Sequence, residues 1–194
     1  VSQGNYVPLH GGHSINILDV PTDTVTVKAE YPDMAWKYEV EGSDNCKKIQ
    51  ELTYHQIALQ NKCIAIAENP SLSMKVSADS IDRVIEAYKQ EIKNNYIIKE
   101  PMKAYAYFAL FQAIGSRLIF NPRENRDDIK MFAAVATSWD TFHPNSERGQ
   151  NLHNIALEGM KTMRIIDADN QPANIDPNIV RETSIIDLEL IDNK

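Results

Sequence analysis

The chain has 194 residues, with 20 lysines and arginines against 27 aspartates and glutamates, a net charge of −7 with the five histidines neutral. An acidic chain without a basic run lacks the phosphate-neutralising surface that a nucleic-acid or membrane-surface partner requires, and 43% hydrophobic with 24% charged residues is a globular composition rather than a disordered one. The longest apolar run, Ala104 to Phe111, is far below the roughly 18 residues of a membrane span, and the length suits one or two small domains.

In chain order, the first 42 residues read as β structure. Ser14 to Val20 alternates apolar and polar positions, Pro21-Thr22-Asp23 breaks the pattern, and Thr24 to Ala29 resumes it. A third strand runs Ala35 to Val40 after the turn Tyr31-Pro32-Asp33. Short turns between alternating strands predict an antiparallel meander, with Val25 and Val27 on one face and Thr24 and Thr26 on the other. Three strands alone bury too little, so the segment 1–42 is expected to be incomplete without helices on one face or further strands upstream.

From Ser43 the period changes to that of helices, and 43–166 reads as a bundle of about five. The first is capped by Ser43 and carries Ile49, Leu52, Leu59, Cys63 and Ile66, a stripe that skips only Gln56, and it ends before Pro70. The second starts near Asp79 or Ser80, buries Ile81, Val84, Ile85, Tyr88 and Ile92, and ends near Asn94-Asn95. The third opens at Pro101, carries Tyr105, Phe108, Ala109 and Phe111, tolerates Gly115 in its last turns and stops at Asn121-Pro122. Its centre is apolar all round, which predicts the most buried helix of the bundle, with Phe108→Ala costing about 3–5 kcal/mol. The fourth begins at Asp127-Asp128, where carboxylates favour a helix N-terminus, and buries Ile129, Phe132, Ala133, Ala136 and Trp139 before Phe142-His143-Pro144-Asn145 breaks it. The fifth is capped by Asn145 or Ser146 and buries Leu152, Ile155, Ala156, Gly159, Met163 and Ile166. Small residues at Ala133, Ala136, Ala156 and Gly159 predict a close approach of these last two helices. A polar linker over 167–182 and a strand over 183–194 complete the layout, an α+β chain with a short meander, five helices and a C-terminal strand. The absence of a leader before Val1 and a last strand without a partner suggest a piece of a longer protein.

The candidate chemistry is sparse. Cys46 and Cys63 fall within one helix, 17 residues and so about 25 Å apart, beyond the roughly 7 Å that a disulfide spans. Cys63 reads as a core residue and Cys46 as a surface or edge residue near the cap, whose place in the first turn leaves a reactive role open. His10 and His13 flank Gly11-Gly12 and supply two metal-ligand candidates, which need Asp19 or Asp23 to complete a site; a glycine-rich turn is the simpler reading. His143 suits a helix C-terminus and His153 a helix surface, while His55 lies mid-helix beside Tyr54. No Gly-x-Ser-x-Gly elbow, metalloprotease signature or phosphate-binding glycine loop occurs, so no catalytic residue and no cofactor is assigned. The aromatics Tyr105, Tyr107, Phe108, Phe111, Trp139 and Phe142 read as core, with a ligand groove as the alternative.

The order of parts carries a resemblance. A β segment closing on Glu39-Val40-Glu41-Gly42-Ser43, helices containing Lys103 to Phe111 and Ala133 to Asp140, and the stretch Ile186 to Asp192 together resemble the region before the thioredoxin domain in bacterial envelope thiol-disulfide oxidoreductases of the TlpA/ResA-like kind. In those proteins, often lipoproteins, an N-terminal β domain of unknown function and a helical segment lead into a thioredoxin fold. The resemblance covers most of the chain from about residue 14, and Leu188 to Lys194 looks like the first strand of that fold. It implies an extracytoplasmic envelope location, a downstream thioredoxin-like domain as partner and a possible homodimer. The family's redox cysteines have no counterpart here, so no catalytic residue carries over. The chain is then expected to be a non-catalytic accessory region that positions the redox domain, dimerises or recognises substrate. The alternatives are a self-contained helical module that binds a peptide or apolar ligand and, third, a metal-dependent enzyme around His10 and His13.

Overall fold

A computed structural model describes residues 5–8, 14–17, 24–30, 33 and 37–170. The chain is α+β and mainly helical, as its pattern predicts. Strands β1 (Asn5–Pro8) and β2 (Ser14–Ile17) form one antiparallel pair, and β3 (Thr26–Ala29) and β4 (Tyr38–Glu41) form another. The expected meander is therefore replaced, among the described residues, by separate two-stranded sheets, since β2 does not pair with β3. Val25 and Val27 do share the inward side while Thr24 and Thr26 face out. The segments around His10 and His13, the third strand's Ala35 and Trp36, the linker from 171 and the C-terminal strand lie outside the described residues.

Helix α1 (Asp44–Ala67) starts where its cap predicts, with the Ser43 side chain accepting from the Cys46 amide. Its first half carries the β3–β4 hairpin: Tyr38, Val40 and Cys46 form a small core with Val25, Val27 and Tyr54 around it. The Tyr38 carbonyl accepts from both the Gln50 amide and, at 3.2 Å, the Tyr54 hydroxyl. Cys46, expected at the surface, is 2% exposed because this hairpin covers it. The hairpin hides Cys46 from reagents as well as from water.

Helix α2 (Met74–Ile92) begins five residues before the expected start, capped by Ser73, whose side chain accepts from Val76 N. Asp79 and Asp82 consequently lie inside the helix rather than at its start, and Asp82 pairs with Arg117 at 2.7 Å. A π-helical turn, Lys93–Ile97, extends α2 and brings both Tyr96 and Ile97 into the core.

The third helix is the largest departure. α3 (Ala104–Leu110) is short, and β5 (Ala113–Ile114) and β6 (Arg117–Leu118) form a hairpin where its second half was expected. Gly115 has φ 58° in the two-residue turn, a conformation that a helix cannot use and that glycine adopts without strain. The chain is held in this path by Gln112, 2% exposed, whose amide donates to Leu52 O at 3.0 Å while its oxygen accepts from the Tyr88 hydroxyl at 2.8 Å. Gln56, the gap in the α1 stripe, donates to Ala113 O at 2.6 Å and ties the hairpin to α1. Tyr105, Ala106, Ala109 and Leu110 are buried, but Phe108 is only half-buried. The cost of Phe108→Ala therefore falls below the 3–5 kcal/mol expected of a fully buried ring, and urea unfolding of that variant is expected to show about 1–3 kcal/mol.

Helices α4 (Arg126–Phe142) and α5 (Glu147–Asn170) pack on each other. Asn125 caps α4, its side chain accepting from Asp127 N and Asp128 N, and Ser146 supplies the cap of α5, accepting from Gly149 N at 3.1 Å. α5 continues through the first residues of the expected linker to Asn170, and the Arg126–Asp167 ion pair braces this extension. Ile166, expected on the buried face, is 42% exposed.

The close approach predicted from small residues is present at Gly159. An added Cβ there would lie 2.4 Å from Pro122 O and 3.0 Å from Ile129 Cγ1. Gly159→Ala is thus expected to destabilise by about 1–3 kcal/mol despite alanine's better helix propensity, because backbone must move to admit the methyl. A lowered urea midpoint with an unchanged slope checks this.

Candidate functional site

Helices α1 and α2 run side by side in opposite directions, joined by a short connection and by a hydrogen bond from Ser77 Oγ to Ile66 O at 3.2 Å. Between them lies an open groove of about 520 Å³, within the range of small-ligand sites. Its floor is Leu59, Val84 and Tyr88, with Ala58 and Ala87 on the walls. Alanines at these two wall positions leave space that larger side chains would fill. Lys62 and Arg83 edge one end, and His55 and Glu91 the other.

Beside the His55 end sits a compact polar cluster built by the π-helical turn. Such turns recur at functional sites because the extra residue re-aims a side chain. The Tyr96 hydroxyl donates to Glu51 Oε1 at 2.6 Å, and Lys48 Nζ donates to Glu51 Oε2 at 2.6 Å. The Tyr96 ring meets His55 and Tyr105 edge-on, with centroids 6.4 and 6.3 Å away, and Lys48 Nζ lies 5.5 Å above it. Burial opposes ionisation of Glu51, but the hydrogen bonds from Lys48 and Tyr96 outweigh it and lower its pKa. Both carboxylate oxygens are occupied, so Glu51 positions Tyr96 and is poorly placed to move protons.

Four tyrosines are held protonated. Burial, reinforced by Tyr54, pushes Tyr38 up to about 12; burial raises Tyr88, burial and Glu51 raise Tyr96, and burial and Glu100 raise Tyr105. A phenol with a raised folded-state pKa contributes stability that is complete below the unfolded value of about 10 and is lost as pH climbs above it. The urea midpoint is therefore expected to hold to about pH 10 and then fall steeply, with the absorbance of these four phenolates, of the chain's eight tyrosines, appearing only as the chain unfolds. The full absorbance of all eight phenolates from a folded chain would contradict this.

The remaining candidates are placed as follows. Cys63 is buried, and burial pushes its thiol pKa up in spite of nearby Arg117 and Lys62, so it is a weak nucleophile. The two cysteines are not joined to each other. His143 is the C-cap of α4, as expected, with Nε2 2.8 Å from Met102 O and its ring against Trp139. His153, on the surface of α5, lies 2.8 Å from Asp140. Among the described residues no three His, Cys, Asp or Glu side chains are grouped to hold a metal ion.

The aromatic set divides. Tyr105 and Trp139 are buried, Tyr107 and Phe108 are half-buried, and Phe111 and Phe142 are 37% and 57% exposed. Tyr107 stacks obliquely on Trp139 at 5.3 Å, and the Arg148 guanidinium lies over the Tyr107 ring, 5.2 Å from its centroid. The groove lies elsewhere, on α1 and α2, and of its lining the apolar periodicity assigns only Leu59, Val84 and Tyr88 to a buried face. Its signal was available in retrospect: positions 55, 58, 59 and 62 and positions 84, 87, 88 and 91 share faces at helical spacing, each with an alanine and with a charged or titratable residue at its end.

No family model matches the chain, and neither the curated proteins nor the solved structures compared with it contain a match. No helix among the described residues is long and apolar enough to cross a membrane. The protein class that the fold defines is an α+β helical bundle carrying a β-hairpin on its first helix.

Proposed function

We propose that this chain is a non-catalytic accessory region of a thioredoxin-like thiol-disulfide oxidoreductase of the bacterial cell envelope, positioning the redox domain, dimerising or recognising substrate. The observation that carries this reading is the passage from a β-hairpin docked at the α1 N-terminus into a helical bundle, the order of parts on which the family resemblance rests. The buried, separated cysteines fit a supporting role, since exchange needs an accessible thiolate. Catalysis then belongs to a downstream domain of the same polypeptide, where a low-pKa thiolate attacks a substrate disulfide through a mixed disulfide. The location is extracytoplasmic, with a lipid anchor compatible with the family.

Reading the coding sequence beyond Lys194 tests this directly. A thioredoxin fold with Cys-x-x-Cys supports the proposal, and a stop codon or a downstream domain without that pair sinks it. The groove between α1 and α2 favours a second reading, a helical module that binds a peptide or other ligand on its own.

A further inference from the structure

We infer that the α1–α2 groove binds a short extended peptide of about three to four residues, its carboxylate at the Lys62–Arg83 end and its amino group at the Glu91–His55 end. This inference stands on the groove's own geometry and holds for either reading of the chain. On α1 the lining runs from His55 to Lys62 and on α2 from Arg83 to Glu91, each about 10–12 Å at the helical rise. An extended peptide covers that distance with three to four residues at about 3.3 Å each. The two helices run in opposite directions, so the cations Lys62 and Arg83 fall together at one end and Glu91 with His55 at the other.

The groove is thus charge-polarised along its length, with an apolar floor of Leu59, Val84 and Tyr88 between the poles. Lys62 and Glu91 take part in none of the ion pairs among the described residues, and Arg83 spends only its Nε on the Asp79 carbonyl. Their charged groups are available for a ligand. A simple fatty acid would satisfy the basic end and leave Glu91 facing hydrocarbon. A zwitterionic peptide satisfies both ends and places an apolar side chain over Leu59 and Val84.

The test uses the whole chain and the unblocked tetrapeptide Ala-Leu-Leu-Ala, with its N-acetylated and C-amidated forms and octanoate as comparison probes, read by calorimetric titration. Saturable binding of the unblocked peptide is expected, weakened about tenfold by either block, equivalent to 1.4 kcal/mol. The double variant Lys62→Gln, Arg83→Gln is expected to weaken the unblocked peptide about tenfold without affecting the amidated form further. Glu91→Gln is expected to do the same at the amino end. All three side chains are exposed, so the fold tolerates their replacement. Ala58→Trp, which fills the groove from its wall, is expected to abolish binding with helicity unchanged by circular dichroism. The inference is overturned by the absence of saturable binding, by equal binding of the blocked and unblocked peptides, or by octanoate binding in place of the peptide.

Discussion

Trp139→Ala is expected to destabilise the protein by about 3–5 kcal/mol, the loss typical of removing a fully buried large aromatic. Trp139 is 2% exposed in the face of α4 that meets the rest of the bundle. Its indole N–H donates to Pro101 O at 3.1 Å, and its ring lies 5.3 Å from Tyr107 and 4.8 Å from His143. Truncation removes the largest fully buried side chain among the described residues, leaves a cavity and deprives the Pro101 carbonyl of its donor. The connection leading into α3 is tied down by this bond and by His143 at Met102 O, so the damage should spread to α3. Trp139→Phe keeps most of the volume and loses the hydrogen bond, and should cost about 1–2 kcal/mol. Urea unfolding of the two variants separates packing from hydrogen bonding. A loss below about 1 kcal/mol for Trp139→Ala would mean that the site collapses around the missing ring.

The second large effect is expected at a buried ion pair. Lys89 Nζ lies 2.7 Å from Asp128 Oδ2, with side chains 12% and 3% exposed, and the same oxygen accepts from Asn121 N at 2.8 Å. The ammonium also sits 5.5 Å above the Phe120 ring. Removing one partner strands the other charge where water barely reaches it, so Asp128→Ala should cost about 3–5 kcal/mol. Replacing the pair together, as Lys89→Met with Asp128→Leu, should recover much of that loss, because the desolvation of both charges disappears with them. The unpaired Asn121 amide limits the recovery. Guanidinium and urea should rank the single and double variants alike, since burial protects the pair from salt screening. Equal losses for the single and double variants would show that the carboxylate matters as an acceptor for Asn121 rather than as a partner for Lys89.

Asp128 also shows why part of the design was hidden in the sequence. Two carboxylates at a helix start are fully accounted for by the helix dipole, so nothing local asks for a partner. Lys89 stands 39 residues earlier, and only the packing of the π-helical turn that follows α2 against α4 brings the two together. Cys46 is a similar case: its place in the first turn of α1 is local, and its burial depends on a hairpin that precedes the helix. Gln56 reads as a polar gap in the α1 stripe and Gln112 carries no local signal, yet both anchor the β5–β6 hairpin and the end of α3 through bonds to distant backbone or side-chain atoms. The third helix was read too long because its composition stays apolar past Leu110, while the positive φ of Gly115 and the tether at Gln112 turn the chain back.

The amino-acid sequence by itself determined what depends on neighbours along the chain: the acidic globular composition, the Ser43 cap and stripe of α1, the start of α4, the small residues that let α4 and α5 approach, and the inward side of β3. These follow from side-chain periodicity and from capping, both of which act within a few residues. The tertiary structure alone decided the pairing of Lys89 with Asp128, the covering of Cys46, the hairpin after α3 and the charge-polarised groove between α1 and α2. Each of these is a meeting of groups far apart in sequence, whose energies appear only once the backbone has closed the distance between them.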